Sequence, residues 1–171
     1  MAVVSVDYRL APEHPYPAAL GDSVDAAQWL SSTAPAEFGT TRLLIGGESS
    51  GATLAVMTLL RLRGAVAFAA ANLAFGSHDM GLTTPSQRRA IGTPVIDRRY
   101  LEVTRPLIFP GLSAGQRRDP AISPLYADLP GLPPALFTVG TLDPFLSHAC
   151  GRYATCLPGH HANWLAHLTC P

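Results

Sequence analysis

Lysine is absent from this chain. All twelve basic residues are arginine, and twelve acidic residues balance them to a formal net charge of zero. A neutral chain with no basic cluster has no electrostatic footprint for a nucleic acid, so none is expected as partner. The missing lysine is read as compositional bias and not as a site. Charged residues are scarce at 14%, yet hydrophobic ones reach 47%, which excludes an intrinsically disordered polymer. No apolar stretch attains the ~18 residues of a membrane span, so no membrane is expected. The start, Met1-Ala2-Val3-Val4-Ser5-Val6-Asp7, lacks a charged segment followed by an apolar run, and no signal peptide is expected. Cysteine is limited to Cys150, Cys156 and Cys170, crowded near one end, which is no disulfide framework. From Pro144 onward there is neither Asp nor Glu. What remains is a soluble domain, expected in the cytoplasm, and 171 residues suffice for one hydrophobic core.

Short apolar runs alternate with helical patterns, which points to α/β architecture around parallel strands. Ala2–Val6 reads as a buried strand, and Pro12, Pro15 and Pro17 break up the loop behind it. From Ala18 to about Ser31, Leu20, Val24, Ala27 and Leu30 recur at helical spacing on one face. Leu43–Ile45 predicts a short strand that Gly46-Gly47 ends. Ala52 to about Arg63 is apolar nearly all round and predicts a buried helix. Val66–Phe75 predicts a strand, with a helix as the alternative because of its alanines. Ser77–Pro134 changes character, with many prolines, the pairs Arg88-Arg89 and Arg98-Arg99, and one convincing helix around Val95–Val103. A lid-like insertion at about residues 77–118 of a single domain, 1–171, is the expectation. Ala135–Val139 returns as a core strand with the loop Gly140–Pro144 at its carboxyl end. Trp164, Ala166, Leu168 and Cys170 are spaced to line one face of a final strand. Trp29 and Trp164 are expected in core or interface packing, and Arg117-Arg118 on a solvated surface.

The chemistry concentrates in Gly47-Glu48-Ser49-Ser50-Gly51, a G-x-S-x-G pattern between a predicted strand and a predicted helix. In that context the pattern means a nucleophile elbow, a tight turn whose flanking positions want no side chain. The helix N-terminus behind it favours negative charge developing in front, and the N–H of Ser50 would donate to an oxyanion. The competing reading makes Ser49 and Ser50 simple N-cap residues. A nucleophilic serine needs a base oriented by a carboxylate. Asp143 sits after a core strand, where open α/β sheets place catalytic groups, although a turn residue before Pro144 would sit there as well. Only His148, His160, His161 and His167 follow it, none in a convincing loop. Cys156, His160 and His161 do not make a zinc site, because Pro158-Gly159 intervenes without a nearby acidic ligand.

Four segments in order resemble the hormone-sensitive-lipase-like family of α/β-hydrolases, the bacterial family IV esterases. Asp7-Tyr8-Arg9-Leu10-Ala11-Pro12-Glu13-His14-Pro15-Tyr16-Pro17-Ala18-Ala19 is similar to that family's DYRLAPE-x-x-(F/Y)-PA segment. Gly46–Gly51 resembles its GG-D-S-A-G elbow, with Glu48 for Asp and Ser50 for Ala. Asp119–Leu125 is similar to DP-x-x-SPL, and Leu132–Pro144 to the LPPAL region that ends in the triad acid. The resemblance implies an α/β-hydrolase fold with a mostly parallel sheet, helices on both faces and a partial lid insertion. It implies a serine carboxylesterase acting on small acyl esters, with Ser49 as nucleophile, Asp143 as triad acid and Ser50 as oxyanion donor. No cofactor and no metal are implied, the partner is a small-molecule ester, and a homo-oligomer is left open. Arg9 and Glu13 belong to a signature loop assigned to structure.

The departures carry their own expectations. The family's glycine-rich oxyanion loop precedes the DYRLAPE-type segment, and its histidine follows the last core strand, where this sequence reads Thr169-Cys170-Pro171. The resemblance therefore implies an incomplete sheet cut at both ends, its base outside this chain and a central strand missing between Val3–Val6 and Leu43–Ile45. Weak hydrolysis and self-association are the expected consequences. The alternatives are a non-catalytic module of the same fold that binds a small molecule, and an inactive fragment.

Overall fold

The structure, a computed structural model, describes residues 2–92, 96–140 and 142–148, and the backbone alone of Trp164–Thr169. Four parallel strands lie side by side in chain order: β1 (Leu43–Glu48), β2 (Phe68–Ala74), β3 (Ala135–Gly140) and β4 (Trp164–Thr169). Parallel neighbours need crossovers, and helix α2 (Ser50–Arg61) makes the one from β1 to β2. The expected parallel α/β sheet is therefore present. Its alternation is legible along β3, where Ala135, Phe137 and Val139 are buried while Leu136 is exposed. Those three residues, with Ala71 and Leu73 of β2, pack against Ala52, Ala55, Val56 and Leu59 of α2 in the main core. Helix α1 (Ala18–Phe38) packs on α2 in turn. Among the described residues no helix is long and apolar enough to cross a membrane.

Several elements differ from expectation for identifiable reasons. Ala2–Val6 is no buried strand: residues 2–10 carry no strand and Val3 is 80% exposed. A cavity of about 360 Å³, lined among others by Val3, Val4, Val6, Leu44 and Ile45, separates this segment from β1. The segment forms no ladder with β1, whose only paired neighbour among the described residues is β2, so it lacks the backbone pairing that makes a strand. Strand β1 does not end at Gly46-Gly47, which pair on with Asn72 and Leu73 of β2. A Cβ on Gly46 would meet the Asn72 carbonyl oxygen at 2.8 Å, so glycine here serves a close strand contact and not a stop. Helix α1 runs past Ser31, through Pro35, until Gly39 closes it with a φ of 63°.

The segment after β2 forms, among its described residues, two α-helical stretches, α3 (Pro85–Arg89) and α4 (Arg98–Ile108), followed by single 3-10 turns at Gln116–Arg118 and Pro124–Tyr126. Helix α4 starts later than expected because the Asp97 side chain caps it, accepting from the Tyr100 N–H at 2.9 Å. Val95, the expected start, lies outside the described residues. Met80, Phe109 and Ile122 make a second small core joined by Tyr16, whose ring centroid lies 5.2 Å from that of Phe109. Trp29 is 52% exposed and is not core. Arg117, expected on a solvated surface, is buried, donating to the carbonyls of Met80 at 3.0 Å and Leu112 at 2.7 Å. Its chain contacts replace the water it leaves. A last short turn, α5 (Leu146–His148), follows β3.

Candidate active site

The turn from β1 into α2 is shaped by main-chain contact. Ser49 has φ 51° and ψ −119°, a conformation that costs an L-residue ~1–3 kcal/mol. Its N–H is fixed by the Ala74 carbonyl at 2.9 Å, and its own carbonyl accepts from the Thr53 N–H at 3.2 Å. The Ser49 side chain makes no capping hydrogen bond, so the plain N-cap reading has no bond to rest on. The hydroxyl is left half-buried at the edge of a cavity of about 370 Å³, which Ser49 and Ser50 help to line. Ser50 opens the twelve-residue helix α2. The first N–H groups of a helix lack intrahelical partners and carry its positive dipole end, so the turn faces the cavity as an anion-favouring surface.

Asp143 lies on the same side of the sheet. Ser49 directly follows β1 and Asp143 follows β3, both at the carboxyl ends of strands that run parallel with β2 between them. Two inter-strand steps, roughly 10 Å, separate the strands that lead into them. The Asp143 carboxylate accepts the Phe145 N–H at 2.7 Å, the turn bond expected of an Asp before Pro144. Burial raises its pKa, and that N–H bond pulls in the other direction.

The histidines divide sharply. His148 is fully buried, accepts the His78 N–H at Nδ1 (3.0 Å) and faces the Thr84 hydroxyl with Nε2 at 3.3 Å. Burial lowers its pKa to about 4 and that of His78 to about 3, so both are neutral structural groups away from the cavity wall. Among the described residues no hydrogen bond joins a histidine to Ser49 or Asp143. His160 and His161 lie outside the described residues, as do Cys150, Cys156 and Cys170. His167 lies within β4, opposite Thr138 in register. No group of three potential metal ligands occurs among the described residues.

The cavity wall also contains residues that sequence reasoning did not single out. Tyr8 sets its hydroxyl 3.3 Å from Ser50 Oγ, and His14 stands exposed at the rim. Their loop is tied down by Arg9, which forms a bidentate pair with Asp22, the shortest contact being 2.7 Å. Arg105 reaches the same wall from α4. It follows Leu101 by one helical turn on the buried stripe, the signal by which the sequence could have shown it.

The sequence model of the alpha/beta hydrolase fold family matches residues 1–161, and the chain belongs to that family. Within it, the resemblance to the hormone-sensitive-lipase-like branch holds. A solved esterase from the bacterial hormone-sensitive lipase family superposes with a TM-score of 0.78 at 33% identity, covering 96% of this chain and 53% of that one. The hyperthermophilic esterase from the archaeon Pyrobaculum calidifontis gives a TM-score of 0.86 at 28% identity, covering 97% and 55%. Carboxylesterase NlhH of Mycobacterium tuberculosis is 37% identical over 148 residues, which is 83% of this chain and 46% of that protein. The chain thus spans roughly half the length of the relatives it matches.

Proposed function

We propose that this chain carries the nucleophile half of a serine carboxylesterase acting on small acyl esters. The observation that carries the proposal is Ser49 itself, held in a strained conformation at the N-terminus of α2 with an uncommitted hydroxyl at a cavity. Strain of this kind persists where a structure over-determines it, and it clusters at reactive sites. Ser49 Oγ attacks the ester carbonyl carbon, and its proton passes to a histidine that the described residues do not bring to Asp143. Asp143 orients that histidine. The negative charge of the tetrahedral intermediate falls before the Ser50 N–H and the positive end of α2. Collapse expels the alcohol, which takes back the proton, and water then releases the acid from Ser49. The relatives' names support an ester as substrate.

The test is turnover of a short p-nitrophenyl ester by the full chain and by Ser49→Ala. Any enzyme-dependent rate should vanish in Ser49→Ala. Loss of the nucleophile in a competent site costs about 10⁶ in kcat. A rate unchanged by Ser49→Ala would remove Ser49 from the chemistry.

A further inference from the structure

The wall around Ser49 is unbalanced in charge. Arg9, His14 and Arg105 belong to it, and none of its described lining residues is Asp or Glu. Arg9 is already matched by Asp22. Arg105 has no such match. It is 6% exposed, and one Nη donates to a neutral acceptor, Ser77 Oγ, at 2.7 Å. Its buried Nε–H has no hydrogen-bond partner among the described residues, and no described carboxylate forms an ion pair with it.

The neighbouring charges do not resolve this. Asp79 acts on Arg105 from a distance, but its carboxylate is engaged by the N–H groups of Gly81 and Thr83 and by the Thr83 hydroxyl, at 2.7–2.8 Å. Arg117 adds a second positive charge nearby. Burial, then Arg117, lower the Arg105 pKa to about 10, which still leaves it cationic at neutral pH. A desolvated guanidinium with an idle donor is strongly unfavourable unless an anion completes it. Its planar fork suits a carboxylate, which it can hold through parallel charge-assisted hydrogen bonds.

We propose that Arg105 is the anion-recognising group of this cavity, and that the ligand is a small ester bearing a free carboxylate, with the carboxylate on Arg105 and the ester carbonyl toward Ser49. The anion site stands on Arg105 and the cavity wall alone, while the placing of an ester at Ser49 rests on the esterase reading above. A cavity of about 370 Å³ has room for a short ligand that carries both groups.

Calorimetric titration of the full chain tests the anion site with three probes. Monomethyl succinate carries its charge on the acyl side of the ester, acetoxyacetate carries it on the alcohol side, and dimethyl succinate carries none. At least one charged ester should bind roughly ten- to a hundredfold more tightly than dimethyl succinate, the factor a charge-assisted hydrogen bond provides. The tighter of the two identifies the side of the ester that Arg105 faces. Arg105→Met should abolish the advantage, and Arg105→Lys should keep part of it. In the wild-type chain the ¹⁵N resonance of the Arg105 Nε–H should move on adding the charged ester, a readout that needs no folded variant. Equal binding of charged and neutral esters, or an advantage that survives in a folded Arg105→Met, would overturn the proposal. Labelling of Ser49 by a neutral fluorophosphonate reports the nucleophile separately. Labelling without carboxylate selectivity defeats the anion site alone, and selectivity without labelling defeats the esterase reading alone.

Discussion

A Cβ placed on Gly47 would lie 2.4 Å from the backbone carbon of Gly51 and 2.6 Å from its oxygen, so strand and helix meet main chain to main chain at the turn. A Cβ on Gly51 would meet nothing within 4 Å. The two glycines of the motif are therefore unequal. Gly47→Ala is expected to destabilise the chain by at least the ~1–3 kcal/mol of an overpacking substitution, because backbone and not a flexible side chain must give way. Gly51→Ala, inside α2, should be neutral or stabilising by about 0.5–1 kcal/mol. Urea denaturation of both variants checks this, and equal stabilities would contradict the contact.

Strain at Ser49 gives a second expectation. Its φ of 51° is a conformation that glycine adopts without Cβ conflict. Ser49→Gly should be more stable than Ser49→Ala by ~1 kcal/mol, since both lose the hydroxyl and only the glycine sheds the strain. The comparison of urea midpoints is direct. A Ser49→Gly chain less stable than Ser49→Ala would show that the turn is not strained.

The buried His78 and His148 predict acid sensitivity. Their pKa values fall to about 3 and about 4 in the folded chain, burial being the first cause in each, against an ordinary 6.5 when unfolded. Between these limits the unfolded state binds more protons than the folded one, so stability is full above about 6.5 and is lost as pH falls toward 4. The accumulated loss should reach a few kcal/mol, since each tenfold change in proton affinity is worth 1.36 kcal/mol. His148→Phe should flatten that slope while costing about 1–3 kcal/mol at neutral pH, because the buried His78 N–H loses its acceptor. Denaturation curves from pH 7.5 to 4.5 are the check. A wild-type stability independent of pH in that range would contradict the burial of the pair.

Sheet, crossover helix and turn were legible because each has a local cause. Phe137 and Val139 alternate with less buried neighbours, α2 is apolar nearly all round, and Gly47 and Gly51 bracket a serine. Two kinds of feature escaped. Ala2–Val6 has the composition of a strand, but a strand is completed by a hydrogen-bonded neighbour, and the sheet order begins at β1 without it. Arg117 reads as solvated because arginine usually is, Arg105 is not singled out by the sequence, and only tertiary packing brings Ser77, Met80 and Leu112 to their guanidinium groups. Ser49 and Asp143 could be assigned to strand ends from sequence. Their shared edge follows from the strand order, which the local pattern does not encode.

The central claim is that Ser49 is a nucleophile, and covalent capture tests it most directly. The folded full chain is incubated with excess fluorophosphonate, digested and mapped by mass spectrometry beside Ser49→Ala. A single adduct on Ser49, with no adduct on Ser49→Ala or on the urea-unfolded chain, is the predicted result. An unmodified Ser49, or equal modification of Ser50, Ser77 and Ser49, would contradict it.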